Sequence, residues 1–96
     1  MTDVRWRVNP THRVRLTPWE DGYTAFHGAS GDTHLLDPFT GQVLSCLLDH
    51  AMDLDELARA LVDRPVAELA SEEREALERA LAALARAHLA EAEKLS

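Results

Sequence analysis

The chain has 96 residues, of which 46% are hydrophobic and 28% charged, and its formal net charge at pH 7 is −7. A chain of this length supports one domain with a modest core. The hydrophobic share excludes a disordered chain, and the apolar runs are far shorter than the ~20 residues that a helix needs to cross a bilayer. We therefore expect a single folded, soluble domain.

The charge is unevenly distributed along the chain. Residues 1–36 hold four basic and four acidic side chains, whereas residues 37–96 hold six basic and thirteen acidic ones, so the whole −7 lies in the second part. Duplex DNA is bound by clustered Lys and Arg, and an acidic segment repels its phosphates. This distribution argues against nucleic acid as a partner.

The first residues and the single cysteine indicate the compartment. The N-terminal segment is charged and has neither the apolar run nor the cleavage site of a signal peptide, so we expect a cytoplasmic protein. Cys46 has no second cysteine with which to form a disulfide. It lies in the apolar stretch 43–48, where we expect it to pack as a small hydrophobe.

Three short strands are predicted in the first part of the chain, over residues 12–17, 23–27 and 33–36. Val14 and Leu16 alternate with two arginines, which is typical of a strand with one solvated face. Two glycine-containing turns separate the strands. The pattern therefore predicts a three-stranded antiparallel meander.

The period becomes helical after residue 36. Asp37 is a good N-cap before Pro38, and Asp53 with Glu56 forms a capping-box pattern that opens a helix ending near residue 62. A third helix is predicted from about residue 71 to about residue 92, with glutamates in its first turns.

These elements predict an α+β fold in which a three-stranded antiparallel sheet is followed by three helices. At this size the sheet and the helices can bury their apolar faces only against each other. The predicted single domain, 1–96, comprises an N-terminal arm over 1–8, the meander over 9–36, the three helices over 37–92 and a tail over 93–96.

No catalytic constellation is present in the sequence. The five histidines follow no metal-ligand spacing, and the chain has neither a phosphate-binding loop nor a nucleophile elbow. His27 and His34 could approach each other across the second hairpin, near Asp32, but solvated strand histidines are the more common reading. We expect a protein that is not an enzyme and has no metal or cofactor. Trp6 and Trp19 are expected to cover the open ends of the core.

The third predicted strand, Thr33 to Leu36, is an unprotected sheet edge. Natural edge strands are usually protected by Lys, Pro or a bulge, and this one reads Thr-His-Leu-Leu. If the third helix lies alongside, an extended peptide could pair with the strand and contact the helix. The alternatives are that the arm, residues 1–8, or a second copy of the chain covers this edge, and the residues alone favour none of the three.

The stretch Gly31–Asp37 (GDTHLLD), followed by Val43-Leu44, by 52–57 (MDLDEL) and by a long last helix, resembles the PqqD family of peptide chaperones. The similarity is greatest to the branch found with an HPr-kinase-related protein, and it spans residues 6 to about 90. Members of that family often end the last helix with Gly and a short apolar segment, where this chain has His88-Leu89-Ala90-Glu91.

The resemblance implies a winged-helix-like RiPP recognition element, which binds the leader segment of a ribosomally synthesised precursor peptide and presents it to a modifying enzyme. The implied partners are the leader peptide and that enzyme, for which the resemblance suggests an HPr-kinase-related protein. In that family the leader adds as a strand to the third strand and packs against the third helix. The implied contacts are Thr33, His34, Leu35 and Leu36 on the strand and Arg74, Leu77, Glu78 and Leu81 on the helix.

Two other functions remain open from the sequence. One is a winged-helix regulator that binds DNA, and the other is a structural subunit that forms a homodimer through the third helix. Because the helical layer carries the whole −7, we expect a bound peptide to have some positive charge.

Overall fold

The computed structural model describes residues 4–94, which form an α+β fold with two antiparallel sheets and three α-helices. The strands are β1 Val4–Arg7, β2 Val14–Trp19, β3 Gly22–His27, β4 Asp32–Leu36 and β5 Glu91–Lys94. The helices are α1 Pro38–Asp49, α2 Leu54–Leu61 and α3 Ser71–Arg86, with short 3-10 helices at Pro10–His12 and Val66–Glu68. No helix within the described part of the chain is both long and apolar enough to cross a membrane.

The predicted meander is confirmed as the three-stranded sheet β2-β3-β4. Its register places Leu16 opposite Ala25 and Ala25 opposite His34, so these side chains share one face of the sheet. Ala25 is fully buried, and this face therefore packs against the helices. The other face carries Thr24 and Leu35, which lie opposite each other in register.

The predicted starts of α1 and α2 are also confirmed. The Asp37 carboxylate accepts a hydrogen bond from the Thr40 N–H at 2.7 Å, which caps α1. Asp53 and Glu56 form a reciprocal capping box at the start of α2, with distances of 2.8 and 3.0 Å. The helices enclose a leucine-rich core whose largest fully buried side chains are Val43, Leu44, Leu57, Leu77, Leu84 and Leu89.

Gly41 lets α1 lie directly against the sheet. A Cβ atom at this position would lie 1.9 Å from the Cδ1 atom of Tyr23, so the tyrosine ring occupies the space where any other side chain would begin. Close packing between α1 and β3 thus requires glycine here.

The third helix is shorter than expected, since α3 ends at Arg86 and not near residue 92. His88 adopts a left-handed conformation with φ 59°, its N–H donates to the Ala85 carbonyl, and the N–H of Leu89 donates to the Leu84 carbonyl. These bonds form a Schellman motif, in which His88 occupies the position usually taken by glycine. The helix ends here because Leu89, only 1% exposed, turns into the core.

The arm and the tail form a second sheet, which the sequence prediction missed. β5 pairs with β1 in antiparallel register, with Arg7 opposite Glu91. The Arg7 guanidinium also lies 3.0 Å from the Glu93 carboxylate. Residues 91–94 are therefore a strand, while residues 1–3 of the expected arm and 95–96 of the expected tail lie outside the described residues.

The two-stranded sheet is attached to the start of α2 and not to β4. Trp6 and Met52 exchange backbone hydrogen bonds of 2.7 and 3.0 Å, and the Arg5 guanidinium donates to the Ala51 carbonyl at 2.9 Å. The described part of the arm consequently leaves the β4 edge uncovered, contrary to one of the alternatives above.

Candidate functional site: the β4 edge and the adjacent groove

β4 is an edge strand of the three-stranded sheet. It pairs with β3 on one side, and within residues 4–94 no strand pairs with its other side. The strand carries no Lys, Pro or bulge that would discourage a further strand from pairing with it. This edge is available for backbone hydrogen bonding.

The contact between β4 and β3 shows which backbone groups face outward. The Leu36 carbonyl oxygen lies 2.3 Å from the place that a Cβ on Gly22 would take, so this carbonyl points toward β3. Successive residues of an antiparallel strand direct their N–H and C=O groups to opposite sides. Thr33 and Leu35 therefore present theirs on the free edge.

The outer face of the sheet next to this edge is apolar. Leu35 is 86% exposed and Trp19 is 64% exposed, and both line a shallow depression that also includes Thr24. The Trp19 indole N–H donates to the Thr24 hydroxyl, which fixes the ring across the sheet. We call Trp19, Thr24 and Leu35 the outer patch. Trp19 does not cover the core, so the expectation for this residue was wrong, whereas Trp6 packs against the core as expected.

The four strand residues implied by the family resemblance occupy two environments. Thr33 and Leu35 are exposed, whereas His34 and Leu36 are half-buried and share the face that looks toward the helices. Leu36 packs against the core. An added strand would therefore contact the side chains of Thr33 and Leu35 on one face and those of His34 and Leu36 on the other.

The four implied helix residues occupy two environments on α3. Leu77 and Leu81 are 0% and 2% exposed and belong to the core. Arg74 and Glu78 are exposed and pair with each other at 3.7 Å. Glu78 and Leu81 line a cleft with Val4, Trp6 and Leu54, on the β1 side of α3. The depression lined by Leu35 and Leu36 includes none of the four, and their contact with a bound peptide stays a prediction.

A different face of α3 forms a groove with the start of α1, which follows β4 directly. We call it the α1–α3 groove; its volume is about 590 Å³. Alanines and arginines supply the α3 wall, and the first turn of α1 supplies the other. The lining residues are Asp37, Pro38, Phe39 and Thr40 from the α1 side and Ala76, Arg79, Ala80, Ala83 and Arg86 from α3.

The sequence held a weak signal for this wall. Ala76, Ala80 and Ala83 recur at helical spacing, so they form one stripe of small side chains on α3. The sequence prediction was based on the leucines of α3, which are larger and are buried in the core.

The charge of the α1–α3 groove is opposite to that of the chain as a whole. Arg79 lies 3.9 Å from Glu75, a long contact between two mainly exposed side chains. No carboxylate among the described residues lies within salt-bridge distance of Arg86. The Asp37 carboxylate is engaged as the cap of α1. The expectation of a positively charged peptide assumed an acidic flanking layer, and the groove wall does not meet that assumption.

The histidines are arranged differently from the pair considered above. His34 lies opposite Ala25, not His27, and the His27 ring instead lies 4.6 Å from the His12 ring. The Ser30 N–H donates to His27 Nδ1 at 3.1 Å, so this nitrogen is an acceptor. Within residues 4–94, no group of three or more His, Cys, Asp or Glu side chains is placed to hold a metal ion.

The carboxyl and thiol groups with displaced pKa values lie away from the β4 edge. Burial raises the pKa of Cys46, and nearby Asp49 adds to the effect. The Arg59 side chain and the Val66 N–H lower the pKa of Asp55. These groups line neither the outer patch nor the α1–α3 groove.

No family model, no curated protein and no solved structure matches this chain. What the chain does has to follow from its own residues and their geometry. The free edge, the outer patch and the groove are the features that bear on it.

Proposed function

We propose that this protein is a non-catalytic, winged-helix-like peptide-binding domain of the PqqD type. It takes up the leader segment of a precursor peptide as an additional strand on β4 and presents that peptide to a modifying enzyme. The observation that carries the proposal is the free β4 edge, on which Leu35 is 86% exposed.

The contrast between the two sheet edges supports strand addition at β4. β2, the other edge strand, contains Arg15 and Pro18, and Arg13 directly precedes it. Charged residues and proline are the means by which natural proteins discourage pairing at an edge. β4 contains no Arg, Lys or Pro, and its one charged residue, Asp32, stands at its first position, so the two edges differ in the way expected if one of them receives a partner strand.

The α1–α3 groove supports the proposal from the other side. An extended segment on β4 has half of its side chains on the face that looks toward the helices. The alanines at 76, 80 and 83 leave room beside α3 for these side chains. Backbone pairing would supply affinity, and the side-chain contacts would supply specificity.

The competing function as a DNA-binding regulator has less support. α2 carries one basic residue, Arg59, and its guanidinium binds the Asp55 carboxylate at 2.8 Å. A recognition helix needs free cations to approach phosphates. An electrophoretic mobility assay at low salt would revive this function if it showed retardation that is lost on adding salt.

The direct test is an NMR titration of the full chain with a leader peptide encoded near its gene. We expect the backbone amide signals of residues 33–36 to shift most. Leu35→Pro replaces the leucine side chain and removes an outward N–H, whereas Leu35→Ala truncates the side chain and keeps the N–H, so the two variants differ chiefly in this backbone donor. A lost hydrogen bond of about 1 kcal/mol, together with the local disturbance of pairing, predicts roughly ten-fold weaker binding of Leu35→Pro than of Leu35→Ala.

Two outcomes would contradict the proposal. One is a set of shifts confined to the exposed face of α2, and the other is equal affinity of Leu35→Pro and Leu35→Ala. A second copy of the chain is the other candidate occupant of the β4 edge, and sedimentation over a range of concentrations tests for it. A dimer that dissociates in Leu35→Pro would show that a second copy pairs with this edge.

A further inference from the structure

If the β4 edge binds a peptide as proposed above, the arginines of the α1–α3 groove determine which charge that peptide carries. The groove wall on α3 presents two cations, Arg79 and Arg86, in a chain whose formal charge is −7. Both side chains are exposed; Arg79 has one loose partner, the Glu75 carboxylate at 3.9 Å, and no carboxylate among the described residues lies within salt-bridge distance of Arg86. They are therefore able to pair with charges on a ligand.

The two arginines are spaced to meet more than one ligand side chain. They are seven residues apart on α3, which corresponds to about 10 Å along the helix. An extended segment places side chains of one face about 7 Å apart at every second residue. Acidic side chains two or four residues apart are thus within reach of the two long arginine side chains.

We propose that this site selects an acidic extended segment, in which alternate residues are Asp or Glu and face Arg79 and Arg86. The intervening residues of the segment lie on the opposite face, beside Leu35, and are apolar. The recognised pattern is an alternation of acidic and apolar residues. Charge complementarity with the groove wall is the reason to prefer it over a basic segment.

A random library of 12-residue peptides, displayed on phage and selected on the immobilised full chain, tests this directly. We expect the enriched peptides to carry Asp or Glu at alternate positions with apolar residues between them. An enriched peptide is then synthesised in two forms, one as selected and one with its Asp and Glu replaced by Asn and Gln. The neutral form should bind roughly ten-fold more weakly at low salt, and the difference should shrink in 0.5 M NaCl.

Substitutions in the protein supply the matched control. Arg79→Gln with Arg86→Gln should remove the preference for the acidic form, while Arg59→Gln with Lys94→Gln, which removes two exposed cations outside the groove, should leave it within two-fold. Circular dichroism of all variants verifies that the helices are retained.

The outcomes separate the two proposals. If enriched peptides bind and Leu35→Pro weakens them, but they are neutral or basic or are insensitive to Arg79 and Arg86, strand addition stands and the acidic preference is wrong. If no peptide is enriched, or if binding is the same in Leu35→Pro and in Leu35→Ala, the proposed function fails and the acidic preference fails with it.

Discussion

The imidazole Nδ1 of His12 lies 3.2 Å from the backbone carbonyl oxygen of His88. This hydrogen bond joins the short 3-10 helix that comes before the three-stranded sheet to the turn that ends α3. His88 can offer its carbonyl in this direction because it has turned into the left-handed region, with φ 59°. After His88 the chain passes through the buried Leu89 and enters β5. The left-handed conformation of His88 therefore ends α3, directs Leu89 into the core and leads the chain into the second sheet.

The left-handed conformation of His88 should reduce the stability of the folded protein. A left-handed conformation costs a non-glycine residue about 1–2 kcal/mol, part of which is offset by the greater freedom of glycine in the unfolded chain. His88→Gly keeps the carbonyl that His12 contacts, so it should raise the free energy of unfolding by roughly 0.5–1 kcal/mol. Urea denaturation measures this difference.

Ala87→Gly is the matched control for His88→Gly. Ala87 has φ −86°, which any residue adopts, so glycine there should lower stability. A stability loss in His88→Gly would show that the left-handed turn is not strained, or that the exposed His88 side chain contributes more than its contacts indicate.

The elements that could be predicted from the sequence are those specified by neighbouring residues. Asp37 before Pro38 and Asp53 before Glu56 act within one helical turn, and both helix starts follow them. The turn at Glu20 and Asp21 likewise separates two strands where the alternation predicts them. Such local signals need no knowledge of the remainder of the fold.

The elements that were missed depend on residues far apart in the chain. The end of α3 is set by the burial of Leu89, and no glycine marks it. Pairing of β1 with β5 joins residues 4–7 to residues 91–94, and its only sequence signal is two spaced arginines at one end of the chain and two spaced glutamates at the other. The groove face of α3 was not predicted because the leucines give the strong amphipathic signal, which marks the buried face. The small alanines that line the groove give only a weak signal.

Substitutions of Leu77 and Leu35 should differ in their effect on stability, because Leu77 belongs to the core and Leu35 to the candidate site. Leu77 is fully buried, so Leu77→Ala should lower the free energy of unfolding by about 2–5 kcal/mol. Leu35 is 86% exposed, so Leu35→Ala should change it by less than about 0.5 kcal/mol. Urea denaturation measures both. A large loss in Leu35→Ala would mean that its side chain supports the fold and is not free to contact a ligand.

Gly41→Ala should destabilise the protein although alanine is the better helix former. In an exposed helix interior this change would stabilise by about 1 kcal/mol. Here the new Cβ would lie 1.9 Å from the Tyr23 ring, so the ring or the helix has to move. Gln42→Ala, at the adjacent exposed position, is the control and should change the denaturation midpoint little. Equal midpoints for Gly41→Ala and the unsubstituted protein would contradict the close packing of α1 on β3.

Cys46 should be a slow nucleophile. Burial raises the pKa of its thiol, and the Asp49 carboxylate raises it further, so the reactive thiolate is scarcer at a given pH than in free cysteine. We expect the folded protein to react more slowly with a disulfide reagent at pH 8 than the urea-unfolded chain. Asp49→Asn should lower the pKa toward its ordinary value and speed the reaction. A folded-state rate that equals the unfolded-state rate would contradict this account.

The protein should lose stability in acid through Glu73 and Asp55. The Ala70 N–H and Arg64 lower the pKa of Glu73, and Arg59 and the Val66 N–H lower that of Asp55. A carboxyl group whose pKa is lower in the folded state stabilises the fold above its unfolded pKa, and this contribution disappears as the pH falls through the folded pKa. The ordinary pKa values are 4.5 for Glu and 3.8 for Asp, so the loss of stability should begin near pH 5 and continue below pH 4.

Glu73→Gln and Asp55→Asn should each reduce the difference between the urea midpoints at pH 7 and pH 3. Glu20→Gln, which removes an exposed carboxylate at the β2–β3 turn, controls for the change in net charge. An unchanged difference in both variants would show that neither hydrogen-bonded carboxylate stabilises the folded chain.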